Sequence, residues 1–416
     1  MGDLSLADGF DPFEAASVAD PGEVLSEALR QPVFYSTRLG AWVVSRYDDV
    51  KRLLSDHSSC SSRDALRPVQ PFTPEAKEIL RQGGWAARVL INSDPPDHGR
   101  MRSLLRSAFT PRRLAALEPA IRRIVHDHVD AWERHGRADI VRQLTYGLPA
   151  RVIFILLGVP EEEVARVKAW ANHWVRLMCG RPGPDEQAGL ARQFVSFWRY
   201  CEDLVARRIE RPGEDLVSDL IRAAEGDAAP VTVGEVASAV FMLLIAGHET
   251  TTGLLGNTLR QLLSRPSVWE DLRRRPSLIP QAVEEVLRFD SPVVSGRRVT
   301  TRPVEVAGVT IPEGSPVVLL LGAANRDEAQ FPEAERFDIH RPDAAHHLAF
   351  GFGVHYCLGA ALGRLEARVV LEVLTQRLPN LRLVPEQDVE FLPNAAFRCP
   401  QRLLLEWDPE EPAARL

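Results

Sequence analysis

The stretch TVGEVASAVFMLLIAGHETTTGLLGNTLRQLLS (232–264) constrains the fold more than any other segment. It opens on a capping box, Thr232 and Glu235, in which each side chain meets the other residue's backbone N–H. The residues that follow are apolar on too many sides for a surface helix. They predict one long helix, central and buried. Such a helix needs a shell of other elements, and residues 95–224 supply helical patterning. Breaks fall near Thr110–Pro111, Gly136, Gly147–Pro149, Gly158–Pro160, Gly180–Pro184 and Pro212–Gly213. Shorter helices are expected over 277–289 and from about Cys357 to Leu378. The run VEVAGVTIPEGSPVVLLL within 293–321 is β-rich and punctuated by Gly and Pro, which is the pattern of a small sheet. AWVV (41–44) is strand-like, and 381–407 alternates like short strands. The fold class is therefore mainly α with a minor β part. One domain is expected over residues 1–416, with about the first 30 residues loop-rich.

Charge and cysteine usage exclude several functions. The net charge is −7, which argues against a general nucleic-acid binder. Cys60, Cys179, Cys201, Cys357 and Cys399 form no CxxC pair, so neither a zinc knuckle nor a disulfide framework is expected. The N-terminus MGDLSLADGFDP is acidic and lacks the pattern of a signal peptide. The longest apolar run, near Val236 to Ala246, is about half the 20 residues of a spanning helix. A cytoplasmic protein with no membrane anchor is expected.

Chemistry concentrates in FGFGVHYCLGAALGRLE (350–366). Gly351 and Gly353 permit positive φ or close backbone approach. Cys357 stands where a helix begins, and unpaired N–H groups there should depress its pKa and suit it to a soft metal. Gly359 removes a side chain where a flat cofactor can press on the helix. From these residues alone, a plain buried cysteine is the competing account. A dinucleotide fingerprint fails, because Tyr356 takes its third glycine position. The loop resembles the haem-binding loop of cytochrome P450 enzymes, Phe-x-x-Gly-x-x-x-Cys-x-Gly, at Phe350, Gly353, Cys357 and Gly359. The resemblance implies a helical bundle around haem b with small β-sheets. It makes Cys357 the axial thiolate ligand of the iron, a ligand that favours O–O cleavage. Phe350, Gly351, His355 and Gly359 become cofactor contacts.

Three further segments match the same family in order. In LLIAGHETTTG (243–253), Gly247 and Thr250 to Thr252 weaken the helix locally. The resemblance makes that groove, with Ala246 and Gly247, a place for dioxygen, and gives the proton handling to Thr250 and Glu249. HETTT is no zincin site, since Thr252 replaces the second His, and His248 is read as a packing or surface residue. EEVLR (284–288) supplies Glu285 and Arg288 at i and i+3 on one helix face. In the family this pair is structural, and Arg336 in FPEAERFD (331–338) is the expected third member. DPPDHGRMR (94–102) places His98 and Arg102 at i and i+4. They match one haem propionate site, and His355 with Arg298 match the other. Arg297 takes the role of Arg298 after a one-residue shift, so both stay open.

Seven Arg against the single acid Glu118 lie between positions 100 and 123, and Arg364 extends this basic patch. The chain shows no flavin or iron–sulfur motif of its own. By resemblance, a ferredoxin-type partner docks on a face with Arg100, Arg106, Arg112, Arg113 and Arg364. Leu243, Leu244, Val293 and Val294 are expected to line the substrate pocket, beside the loop at 63–92 and the helices at 161–211. Trp170 and Trp174 share one helix face there. The implied activity is a monooxygenase of secondary metabolism that activates O2 and inserts one oxygen atom into a C–H bond of a small hydrophobic organic substrate, acting as a monomer. A hydrogen-peroxide-driven peroxygenase and a haem-binding sensor are the rivals; neither requires the acid–alcohol pair.

Overall fold

The computed structural model describes residues 10–14, 20–83, 89–106, 109–225 and 232–408. Its β part is built around β1 (Val33–Ser36), β2 (Ala41–Val44), β3 (Cys60–Ser61), β4 (Gly296–Thr300) and β5 (Pro316–Leu319). These pair in the order β1-β2-β5-β4-β3. β2 and β5 run parallel, with Val43 opposite Val318. β4 lies antiparallel to β5, with Arg297 opposite Val318 and Arg298 opposite Val317. Side chains alternate across a strand, so Arg297 and Arg298 point to opposite faces of this sheet. Val317 packs with Leu53 and Leu54, whereas Val318 packs with Phe10 and Leu25.

The helices that frame the site are α1 (Asp97–Arg106), α2 (Pro111–Trp132), α3 (Leu148–Leu157), α4 (Val164–Cys179), α5 (Pro184–Glu210), α6 (Val233–Ala246), α7 (Glu249–Leu263), α8 (Ile279–Phe289) and α9 (Ala360–Arg377). Two apolar clusters hold them. One joins α3, α4, α5 and α6; Phe241 at its centre meets Trp174, Phe194, Phe197 and Trp198, with ring centroids 5.0–6.2 Å apart. Burying a side chain of this size contributes about 1.5–3 kcal/mol. The other cluster joins α2, α7, α8 and α9. The region expected to be loop-rich contains a helix at Gly22–Arg30, whose Leu25 and Ala28 are buried. In the tail, Leu404–Glu406 pairs with Arg382–Leu383 and Arg137–Asp139.

The central helix is capped as expected. Thr232 Oγ1 accepts from Glu235 N at 3.2 Å, and Glu235 Oε2 accepts from Thr232 N at 2.9 Å. It is not continuous, however, because α6 ends at Ala246 and α7 starts at Glu249. Three local causes act at the break. A Cβ on residue 247 would sit 2.6 Å from Ile153 Cγ1, so α3 presses on this turn and only Gly fits. The His248 ring takes the Leu244 carbonyl through Nδ1 at 2.8 Å. Thr250 Oγ1 donates to the Ala246 carbonyl at 3.1 Å, a back-bond that competes with the helical ladder. Taken together, Val233–Leu263 is long and apolar enough to cross a membrane by length and composition, more than the short run read from sequence. Here it is packed against α3, α5 and α9.

Candidate active site

The cysteine loop is shaped by two glycines in the left-handed region, Gly351 at φ 70° and Gly353 at φ 69°. At 353 a side chain would also meet Ser55 Cα at 3.2 Å, so the loop is pinned against the helix Tyr47–Ser55. Cys357 N donates to the Phe350 carbonyl at 2.9 Å and closes the turn. The following helix begins at Ala360 with Gly359 as its N-cap, three residues later than the expected start at Cys357. The backbone N–H groups of Gly359 and Ala360, with Arg102 and Arg364, favour the thiolate. Cys357 is exposed to the space it faces, yet the walls around it cost the anion more than these groups return and push the thiol up, contrary to the depressed pKa expected from sequence. The physical reason is apolar surroundings, which penalise an anion more than two amides reward it.

Cys357 faces a cavity of about 380 Å³. Its walls come from two sets of elements: Leu243, Ala246, Gly247, Glu249 and Thr250 from the broken central helix, and Phe350, Gly351, His355, Gly359 and Leu362 from the loop and α9. Val293 lines it too, while Val294 lines an adjoining cavity of about 560 Å³. Leu244 does not line it. A helix turns about 100° per residue, so Leu244 faces the core, fully buried, next to residues that face the cavity. Trp174 lines the cavity, whereas Trp170 stacks on Phe197 and Trp198 packs on Phe241. Leu66, Met178 and Phe397 are lining residues that sequence reading did not single out.

One edge of the cavity is polar. His355 and Arg298 line it, as does Arg102, whose Nη2 donates to the Tyr356 carbonyl at 2.7 Å. His355 Nε2 lies 2.9 Å from Ser62 Oγ. Burial, Arg298 and His98 push the His355 pKa down to about 3, so the ring is neutral. His98 stands behind it, ring centroids 4.2 Å apart, and its buried Nε2 has no partner. Arg298 is buried, donates to the Arg297 carbonyl at 2.7 Å and makes no ion pair among the described residues. Arg297, on the opposite sheet face, reaches the Arg67 carbonyl instead. The cluster around His355 therefore contains Arg298, which separates the two open readings.

Thr250 and Glu249 both line the cavity that Cys357 faces. Glu249 is mostly buried, its Oε2 has no hydrogen-bond partner, and burial raises its pKa above the usual carboxylate range. His248 is fully buried rather than superficial, with its pKa pushed down to about 3. A carbonyl can only accept, so Nδ1 carries the ring proton given to Leu244 O, and Nε2 keeps its lone pair. That Nε2 lies 3.6 Å from Glu249 Oε2, too far for a hydrogen bond but on the side of the acid. Lys168, a buried cation on α4, opposes the rise in the Glu249 pKa. Its Nζ sits 3.5 Å from the centroid of the half-exposed Tyr146 ring. Lys168 was missed from the sequence, although it falls in line with the buried stripe Val167, Ala171, Trp174 and Val175.

The family model for Cytochrome P450 matches residues 197–403. Cytochrome P450 107B1 of Saccharopolyspora erythraea is 38% identical over 354 residues, 84% of this chain and 85% of that protein. The mycinamicin IV hydroxylase/epoxidase of Micromonospora griseorubida is 39% identical over 372 residues, 88% of this chain and 89% of that protein. A solved structure of cytochrome P450 CREJ in complex with (4-ethylphenyl) dihydrogen phosphate superimposes with a TM-score of 0.92 at 39% identity, covering 97% of this chain and 100% of that one. The chain belongs to the cytochrome P450 family.

It is accordingly a P450 monooxygenase with haem b as cofactor. The residues present fit that group. A flat apolar ring with two carboxylates needs apolar walls, a sulfur ligand and unpaired buried donors at one edge. Leu243, Leu254 and Leu362 would supply the walls, Cys357 the sulfur, and Arg298 with the orphaned His98 Nε2 the donors.

The P450 Glu-x-x-Arg pair is a closed lock. Arg288 is fully buried and donates to Glu285 at 2.7 and 2.8 Å, to Asn325 O at 3.0 Å and to Ala334 O at 2.9 Å. Arg336 is not its third member. The Arg336 side chain is exposed and pairs with Glu333 and Asp338, and only its carbonyl receives Arg288, at 3.2 Å. The third charged member is Arg341, which is buried, 3.5 Å from Glu285 and bonded to the carbonyls of Pro332 and Glu333. The basic patch is also changed by pairing: Arg100 meets Glu235, Arg113 meets Asp219, and Arg364 meets Glu284. Arg106 and Arg112 are exposed and make no ion pair among the described residues.

Proposed function

We propose that this P450 inserts one oxygen atom into a C–H bond of a small hydrophobic organic substrate. The observation that carries the reading is one cavity lined by Cys357 and also by Glu249 and Thr250. Haem, when bound, supplies the activation of dioxygen. Cys357 Sγ is its ligand in this reading. Arg298, Arg102 and His355 hold its carboxylates, with His98 supporting His355 from behind. Phe350, Gly351, Gly359, Ala246 and Gly247 are its remaining contacts.

Burial raises the Glu249 pKa, which favours its protonated form and makes it the acid of this reading. Thr250 Oγ1 is one helical step away and can pass that proton on once it leaves the Ala246 carbonyl. Leu243, Val293 and Phe397 exclude water and hold the apolar substrate. An acid and an alcohol facing the cavity favour dioxygen over hydrogen peroxide as oxidant, and an enzyme over a haem-binding sensor. Electrons come from a separate ferredoxin-type protein on the Cys357 side, where Arg106 and Arg112 stay open to an acidic partner. We read the protein as cytoplasmic and monomeric.

The deciding experiment is the carbon monoxide difference spectrum of the reduced protein, followed by turnover with a surrogate ferredoxin and reductase. A band at about 450 nm and NADPH-dependent oxidation are expected. A band at about 420 nm in folded protein would reject thiolate ligation by Cys357.

A further inference from the structure

Arg297 is unlike most arginines of this chain. Arg100, Arg113, Arg208, Arg260, Arg364 and Arg398 each pair with a carboxylate. Arg297 makes no ion pair among the described residues, and Nη1 donates to the Arg67 carbonyl. A guanidinium carries five N–H donors, so most of its capacity stays unused. Its position matters more than its pairing. Arg297 lines both the cavity that Cys357 faces and the adjoining cavity of about 560 Å³. It therefore stands where the two join, and its register opposite Val318 turns it away from the His355 cluster.

Arg67 also lines both cavities, repels Arg297 and makes no ion pair among the described residues. Lys77 adds a third cation at the exposed side of the larger cavity. Asp64 lines that cavity without pairing to any of them, and Asp11 is held by Arg181. Arg67 is exposed and Arg297 half-buried, so the two guanidinium groups repel across a partly solvated space. An anion between them removes that cost and gains charge-assisted, bidentate bonds. Around these cations the walls are apolar, with Leu66, Met178, Leu243, Val293 and Phe397 on the inner side.

We infer that the substrate is an amphiphilic organic anion, whose carboxylate or phosphate monoester pairs with Arg297 and Arg67 and whose apolar body extends toward Thr250. This rests on the P450 reading of the same cavity and adds the substrate class. Arg297 is then a specificity-determining residue.

The test uses holoprotein whose reduced carbon monoxide band has been verified, so failure of the family reading is seen first. Decanoate, decyl phosphate and decan-1-ol are titrated into wild type and Arg297→Gln, followed both by the haem absorption shift and by calorimetry. At least one anion should bind ~10-fold or more tightly than the alcohol, as a charge-assisted bond implies. Arg297→Gln should abolish that preference while leaving haem content and decan-1-ol affinity unchanged, and Arg297→Lys should keep part of it. The comparison of the two anions identifies the head group. Equal affinity for alcohol and anions, binding of none of the three, or a preference that survives Arg297→Gln each overturns the inference. So does loss of haem in Arg297→Gln with an unchanged preference, because Arg297 would then serve the cofactor.

Discussion

Two buried clusters of charge sit on neighbouring helices of this P450, and they are built in opposite ways. Around Arg288 on α8, the donors are filled by Glu285 and by the carbonyls of Asn325, Ala334 and Arg336. Around Glu249 at the start of α7, the Oε2 of Glu249, the Nε2 of His248 and the Nζ of Lys168 all lack a hydrogen-bond partner. A buried polar group left unmade costs about 1–3 kcal/mol. A filled network fixes backbone geometry, whereas an unfilled one keeps a group able to gain and lose a proton. The first cluster holds the long connection before the cysteine; the second faces the cavity.

The comparison breaks most visibly at Arg288. Arg288→Ala strands Glu285 as a buried charge and should cost about 3–5 kcal/mol. Little folded, haem-containing protein is expected, read as soluble yield and haem per chain. Arg341→Ala should destabilise as well, since its guanidinium ties Glu285 to two carbonyls. Arg336→Ala should shift stability by only about 0.5 kcal/mol or less, as an exposed ion pair implies. Normal haem content in Arg288→Ala would remove the lock from the account.

In the second cluster, Glu249→Gln should leave folding intact and slow turnover. Loss of a positioned acid typically costs about 10²–10⁴-fold. Thr250→Ala should act in the same direction, because both stand on one proton route. A mutant with unchanged turnover and an unchanged pH profile would show that protons arrive elsewhere.

Lys168 sharpens the contrast through pH. Its pKa is lowered from 10.5 to about 8 by burial. A depressed pKa means that the unfolded chain binds the extra proton between those values. Stability from this group is therefore complete above 10.5 and lost as pH falls through about 8. The term amounts to about 3 kcal/mol at most. Lys168→Met should flatten the unfolding free energy over this window. It also removes the cation that lowers the Glu249 pKa, so the alkaline limb of turnover should move to higher pH. An unmoved limb would separate Lys168 from the acid.

These clusters also differ in how far they were legible in the sequence. Glu285 and Arg288 lie at i and i+3 and meet as spacing requires. Arg341 was not legible, because its approach to Glu285 depends on how an irregular segment folds back, whereas Arg336 is nearer in sequence. Gly351 and Gly353 announced a special backbone, and both have positive φ. The thiol of Cys357 went the other way from expectation, since burial depends on the tertiary fold while the helix N-terminus is visible locally. Leu244 was read with Leu243 as pocket-lining, but a turn of about 100° per residue carries Leu244 into the core while Leu243 faces the cavity.

The break between α6 and α7 offers the smallest and most specific test. A helix would ordinarily continue through residues 247 and 248, and Gly alone costs about 1 kcal/mol against Ala. If propensity set the break, Gly247→Ala would stabilise the protein. The packing says otherwise, because the added Cβ would meet Ile153 Cγ1 at 2.6 Å and the Leu243 carbonyl at 2.9 Å. Overpacking of this kind costs about 1–3 kcal/mol. Gly247→Ala should therefore lower the unfolding temperature, and Ile153→Ala should cost stability by leaving a cavity. Combined, the two should be less harmful than their sum, because the new methyl enters space that Ile153 vacates. A double mutant that is merely additive would move the cause of the break from α3 to the His248 and Thr250 side chains, which compete for the carbonyls of Leu244 and Ala246.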